Sequence, residues 1–160
     1  MTETTYSTHN SNCSIRFSQS NAVEPSIDPV MAAWDLVTDF ENWTSWFPKL
    51  TSVVRLDPGD PGRGSVLRLD YGNRSEEWTI SYWEPLTQID FISDSRGARV
   101  AYSYNMNSTH DNSHLDLELD MEIEFTGYRK LLSPVLTWVV KRNGELMLES
   151  LRIRLLSMVS

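Results

Sequence analysis

With 160 residues and 40% hydrophobic content, the chain has enough apolar material for one core of ordinary domain size and not for two. A formal charge of -8 disfavours phosphate backbones and anionic lipid surfaces, because both are bound through clustered Lys and Arg. The single cysteine, Cys13, excludes an internal disulfide and any multi-cysteine metal site, which fits a reducing, cytoplasmic setting.

Residues 1–12 are rich in Thr, Ser and Asn and predict a frayed tail. They lack a basic stretch followed by an apolar one, so no signal peptide is expected, and no apolar run reaches the roughly 18 residues that a membrane span needs. Residues 13–160 then form a single domain. A weak alternation from Cys13 to Val23 predicts a first strand. Asp28 and Pro29 are a cap and first-position pair for a helix, and Val30, Ala33, Trp34 and Val37 follow at helical spacing towards an end near Thr38 or Asp39. Phe40 to Phe47 carries Phe40, Trp43, Trp46 and Phe47 and predicts a second short, aromatic helix before Pro48.

The period then changes from 3.6 to 2. Ser52 to Asp57, Gly64 to Tyr71, Glu76 to Trp83, Gln88 to Ser93, Ala98 to Asn107 and Asn112 to Phe125 are successive strand candidates separated by short, turn-rich breaks, which imply antiparallel hairpins. In the last of them Leu115, Leu117, Leu119, Met121, Ile123 and Phe125 alternate with carboxylates, so one face is dry and the other wet. Tyr128 to Met158 predicts a long helix. Leu136, Val140, Gly144, Met147, Leu151, Leu155 and Met158 share its apolar stripe, and Trp138 falls off it, marking a dimer contact or a loop-covered position. Pro134 either starts this helix, with Ser133 as N-cap, or kinks it. The segment from Leu131 to Val140 is apolar nearly all round and so calls for enclosure on several sides or a ligand.

The segments Ile27-Asp28-Pro29 with Val30 and Trp34, Leu36 to Trp43 with Trp46 and Pro48, Gly64-Ser65, Trp78 to Ile80 leading into Trp83-Glu84-Pro85, and Arg129 to Pro134 occur in an order that resembles the SRPBCC or START-like superfamily. That superfamily includes polyketide cyclases, the birch pollen allergen, and lipid and coenzyme Q carriers. The resemblance spans Ile15 to Met158. It implies an α+β helix-grip fold, in which a seven-stranded curved antiparallel sheet wraps a long C-terminal helix, two short helices follow strand 1, and an apolar pocket lies between sheet and helix. It does not imply one activity, because carriers and enzymes share the scaffold.

Phasing the strands by their apolar positions puts Leu69, Tyr71, Trp78, Ile80, Tyr82, Tyr102, Tyr104 and Met106 on the concave side, facing Leu132, Leu136 and Val140 of the helix. Four tyrosines there supply either a broad wall with hydroxyls that fix a ligand's polar group, or simply core rings whose hydroxyls reach water. Arg74, Arg96, Arg99, Arg129 and Lys130 fall in or beside turns expected at the pocket mouth, where they are either ordinary loop charge or a rim for an acidic head group. His110, Asp111 and His114 sit in a polar hairpin turn, which favours a solvated loop over a metal site. Glu76 and Glu77 point to opposite faces and cannot act as a pair, and no carboxyl stands out as buried in the pocket. No metal, cofactor or nucleic-acid site is expected, and the chain is expected to be a monomer or weak homodimer. The leading expectation is binding of a lipid-, polyketide- or quinone-like small molecule. The alternatives are a polyketide cyclase or aromatase and a protein-protein regulator.

Overall fold

The computed structural model describes residues 28–95, 97–108, 115–125 and 133–159. The expected first strand, Cys13 to Val23, lies outside them, as do His110, Asp111 and His114.

Helix α1, Pro29–Thr38, is started by Asp28, whose carboxylate accepts the Val30 N–H at 2.9 Å, with Pro29 at the first helical position. It buries Ala32, Ala33, Trp34, Leu36 and Val37. The aromatic segment that follows is a 3-10 helix over Phe40–Ser45, not an α-helix to Phe47. Three residues per turn brings Phe40, Trp43 and Trp46 onto one side. Trp43 is fully buried, and its indole N–H donates to the Val37 carbonyl at 3.0 Å, tying this turn to α1.

The strands are β1 (Ser52–Arg55), β2 (Val66–Asp70), β3 (Ser75–Glu84), β4 (Gln88–Ser95), β5 (Ala98–Ser108) and β6 (Leu115–Phe125), paired in sequence order and antiparallel throughout. The described residues thus form six strands where seven were expected. One face carries Leu67, Leu69, Trp78, Ile80, Ile89, Phe91, Tyr104, Met106, Leu115, Leu117, Leu119 and Met121, all buried. The β1–β2 connection is held by Asp57, which accepts the Ser65 hydroxyl at 2.8 Å and the Val66 N–H at 2.7 Å.

A β-bulge interrupts β3. Ile80 opposes Phe91 and Tyr82 opposes Asp90, so Ser81 is the extra residue. The inserted residue reverses the alternation. Tyr82 is turned outward and is 41% exposed, whereas Trp83 turns inward and meets Trp34 edge to face at 5.2 Å. The expected place of Tyr82 on the concave face is therefore corrected: uninterrupted alternation fails at Ser81.

Helix α2, Ser133–Val159, packs on α1 and β6. Gly144, Met147, Leu148, Leu151 and Leu155 are buried, which matches the expected stripe through Leu155. Met158, expected to continue it, is exposed at the end of the helix. A Cβ at Gly144 would overlap the Met121 sulfur, so the small residue is matched to a side chain of β6 rather than to a backbone. Trp138 is 60% exposed, with the Arg142 guanidinium 5.6 Å from its ring centre. Among the described residues no helix is long and apolar enough to cross a membrane.

Candidate ligand-binding face

The strand register brings the β2–β3 turn, the β4–β5 turn and the last residues of β6 to one end of the sheet. Trp78, Ser93, Val100 and Ile123 lie in one cross-strand row, and from that row Ser75, Ser95, Ala98 and Phe125 all lie in the same direction. The inner face at this end is built by Tyr71, Trp78 and Tyr102. Trp78 and Tyr102 stack face to face with centroids 4.4 Å apart. Trp78 also meets Trp43 and Phe47 at 6.0 and 5.8 Å, so the aromatic turn after α1 buttresses the stack from behind. Tyr71 lies tilted against Phe47. Deeper in, Tyr104 is fully buried, meets Phe91 edge to face at 6.0 Å and directs its hydroxyl at the Met147 sulfur, 3.4 Å away on α2.

Burial pushes the phenol pKa of Tyr71, Tyr102 and Tyr104 well above its usual value, and for Tyr71 and Tyr102 the neighbouring Glu76 charge adds to the shift. These hydroxyls are therefore protonated and available as donors at any ordinary pH. No hydrogen bond joins the Tyr71 or Tyr102 hydroxyl to another of the described residues.

Glu76 is the site residue that the sequence reading passed over. It stands opposite Leu69 in the register and shares its parity with Trp78 and Ile80, so its side chain lies on the inner face and is only 18% exposed. The Trp78 indole N–H donates to its Oε2 at 3.4 Å, and Arg74 Nη2 lies 3.4 Å from its Oε1. The Arg74 guanidinium also covers the Tyr71 ring at 4.9 Å while remaining 60% exposed. Parity with Trp78 was the signal available in the sequence.

Of the other expected site residues, Leu69, Ile80 and Met106 are buried on the inner face. Arg99 is exposed on the outer face, opposite Asp94 and Glu124, away from the tyrosines. Strand alternation explains this: Val100, the next residue, lies in the inner row with Trp78, so Arg99 faces the wet side. Arg96, Arg129, Lys130 and Leu132 lie outside the described residues, as do the side chains of Leu136 and Val140 in α2.

The outer face carries a depression of about 280 Å³ of mixed lining, with Ile92 and Ala101 beside Asp90, Ser103, Asp120 and Glu122. Ser103 and Gln88 donate to Asp90 at 2.6 and 2.9 Å. Burial, with Glu118 and Asp90 nearby, raises the Asp120 carboxyl pKa. Among the described residues no three His, Cys, Asp or Glu side chains are grouped to hold a metal ion.

The sequence profile of the family described as polyketide cyclase / dehydrase and lipid transport matches residues 22–155. The chain belongs to that family. Its fold is the START-like one shared by solved structures of low identity. A START superfamily protein from Mycobacterium smegmatis is 18% identical, with 92% of this chain and 98% of that one covered and a TM-score of 0.67. The Zhui aromatase/cyclase from Streptomyces sp. R1128 is 18% identical, with 93% and 96% covered and a TM-score of 0.62. Ara h 8.0201 is 13% identical, with 91% and 99% covered and a TM-score of 0.62. No curated protein matches the chain by sequence. This START-like domain is α+β, an antiparallel sheet with a C-terminal helix.

Proposed function

We propose that this START-like protein binds a hydrophobic small molecule between the inner face of the sheet and α2, with the ligand's polar end at Tyr71, Glu76 and Tyr102. The observation that carries this reading is the pair of half-buried rings Tyr71 and Tyr102, with the buried Trp78 behind Tyr102; the two phenol hydroxyls are bonded to none of the described residues and lie near the Glu76 carboxylate. Apolar walls with a few convergent polar groups are the general form of small-molecule sites. Tyr71, Trp78, Tyr102 and Met106 supply the sheet side, and Leu132, Leu136 and Val140 the helix side. The test is displacement of the neutral fluorophore N-phenyl naphthylamine by long-chain alcohols and esters. Saturable displacement that weakens at least about tenfold in Trp78→Ala supports the site, whereas saturable binding unaffected by that change would move it elsewhere.

Glu76 favours a second reading, as an enzyme of the cyclase kind. A carboxylate beside phenol donors has the parts for moving a proton from a carbon next to a carbonyl, with Glu76 as base and the Tyr71 and Tyr102 hydroxyls holding the developing oxyanion. Turnover of a poly-ketone that is lost in Glu76→Gln while binding persists would establish it.

A further inference from the structure

We infer that the Glu76–Arg74 pair makes this mouth select ligands with an uncharged, hydroxyl-bearing head and reject those ending in a carboxylate. The inference rests on the proposed ligand-binding reading and concerns only the head group.

The argument is one of depth and charge. Arg74 and Glu76 form one ion pair, but the two ends are not equivalent. The guanidinium is 60% exposed and lies over the Tyr71 ring, while the carboxylate is 18% exposed and sits inside, bonded by the Trp78 indole. Water screens the outer charge far more than the inner one. A ligand whose body lies along Tyr71 and Tyr102 therefore brings its head to Glu76 before it reaches Arg74. A carboxylate head would stand beside a second carboxylate in a partly desolvated place, where like charges repel strongly. Among the described residues its cationic counterpart there is Arg74, which is already engaged by Glu76.

A hydroxyl head meets the opposite situation. Each Glu76 oxygen has one long contact and lone-pair capacity left, so it can accept an O–H from the ligand. Tyr71 and Tyr102, held protonated, donate to the ligand's oxygen. Donor and acceptor are thus presented together, and a head that both gives and receives a hydrogen bond satisfies them. An ester, which only accepts, satisfies half. The expected order of affinity at equal chain length is alcohol, then methyl ester, then acid.

The experiment is competition of dodecanol, methyl dodecanoate and dodecanoic acid against N-phenyl naphthylamine on the full chain at neutral pH and low salt. The alcohol is expected to bind about tenfold or more tightly than the acid. In Glu76→Gln, which keeps the shape and removes the charge, the acid should gain affinity until the two lie within about threefold, because Arg74 is released to meet it. Melting of the variant close to wild type shows that it is folded; if it is not, the wild-type order alone decides. Acid binding as tightly as alcohol in the wild type, or an unchanged ratio in folded Glu76→Gln, would overturn the selectivity while leaving the pocket standing. Displacement by none of the three would overturn the ligand-binding reading itself, and this inference with it.

Discussion

The hydroxyl of Tyr104 on β5 meets the sulfur of Met147 on α2 at 3.4 Å, across the interface between sheet and long helix. A thioether is a weak acceptor, so this fully buried hydroxyl loses its water for little in return. Tyr104→Phe keeps the ring and its edge contact with Phe91 and removes only that oxygen. Its stability in denaturant titration is expected to equal the wild type or exceed it by up to about 1 kcal/mol. A loss beyond about 1.5 kcal/mol would show that the hydroxyl is bonded more strongly than this geometry implies.

The helix phase predicts a sharp contrast two and four residues beyond Met147. Leu151 is fully buried, whereas Glu149 is exposed and ion-paired with Arg152 at 3.3 Å. Leu151→Asp puts an unpaired carboxylate into the core and should cost more than about 3 kcal/mol. Glu149→Asp weakens only a surface pair and should cost under about 0.5 kcal/mol. Equal melting temperatures for the two variants would contradict the packing of α2 described above.

The buried phenols predict alkaline sensitivity with a definite sign. The folded-state pKa of Tyr71, Tyr102 and Tyr104 is raised above the unfolded value near 10, first by burial. Their contribution to stability is therefore intact below that unfolded value and is lost as pH rises above it, where the unfolded chain ionises and the folded one resists. Tyrosinate absorbance should show these three phenols, half of the six tyrosines, ionising together with loss of helix signal on going from about pH 8 to strongly alkaline conditions. Complete ionisation with the folded signal retained would contradict their burial.

Much of this architecture was legible in the chain because it rests on periodicity. Leu115 to Met121 alternate without interruption, and β6 buries just those apolar positions. Asp28-Pro29 carries its own capping chemistry and starts α1 as expected. What escaped the sequence is what a single residue decides. Ser81 resembles any polar strand residue, yet as the bulge it sends Tyr82 out and Trp83 in. The 3-10 turn at Phe40 differs from an α-helical one in tertiary anchoring, through the Trp43 indole and Val37, which local pattern does not report. Glu76 stands next to a turn, where charge is usually solvated, yet parity with Trp78 puts it on the inner face. Arg99 is the reverse case: proximity to a turn suggested the mouth, and parity put it outside.

The central claim is that an apolar ligand occupies the inner face beside Trp78 and Tyr102, and native mass spectrometry of the freshly purified chain, before and after incubation with dodecanol, tests it most directly. The account predicts one added mass of a hydrophobic compound per chain, or one dodecanol after incubation, in wild type and far less in Trp78→Ala. The bare chain mass alone under both conditions, from protein that melts cooperatively, would contradict it.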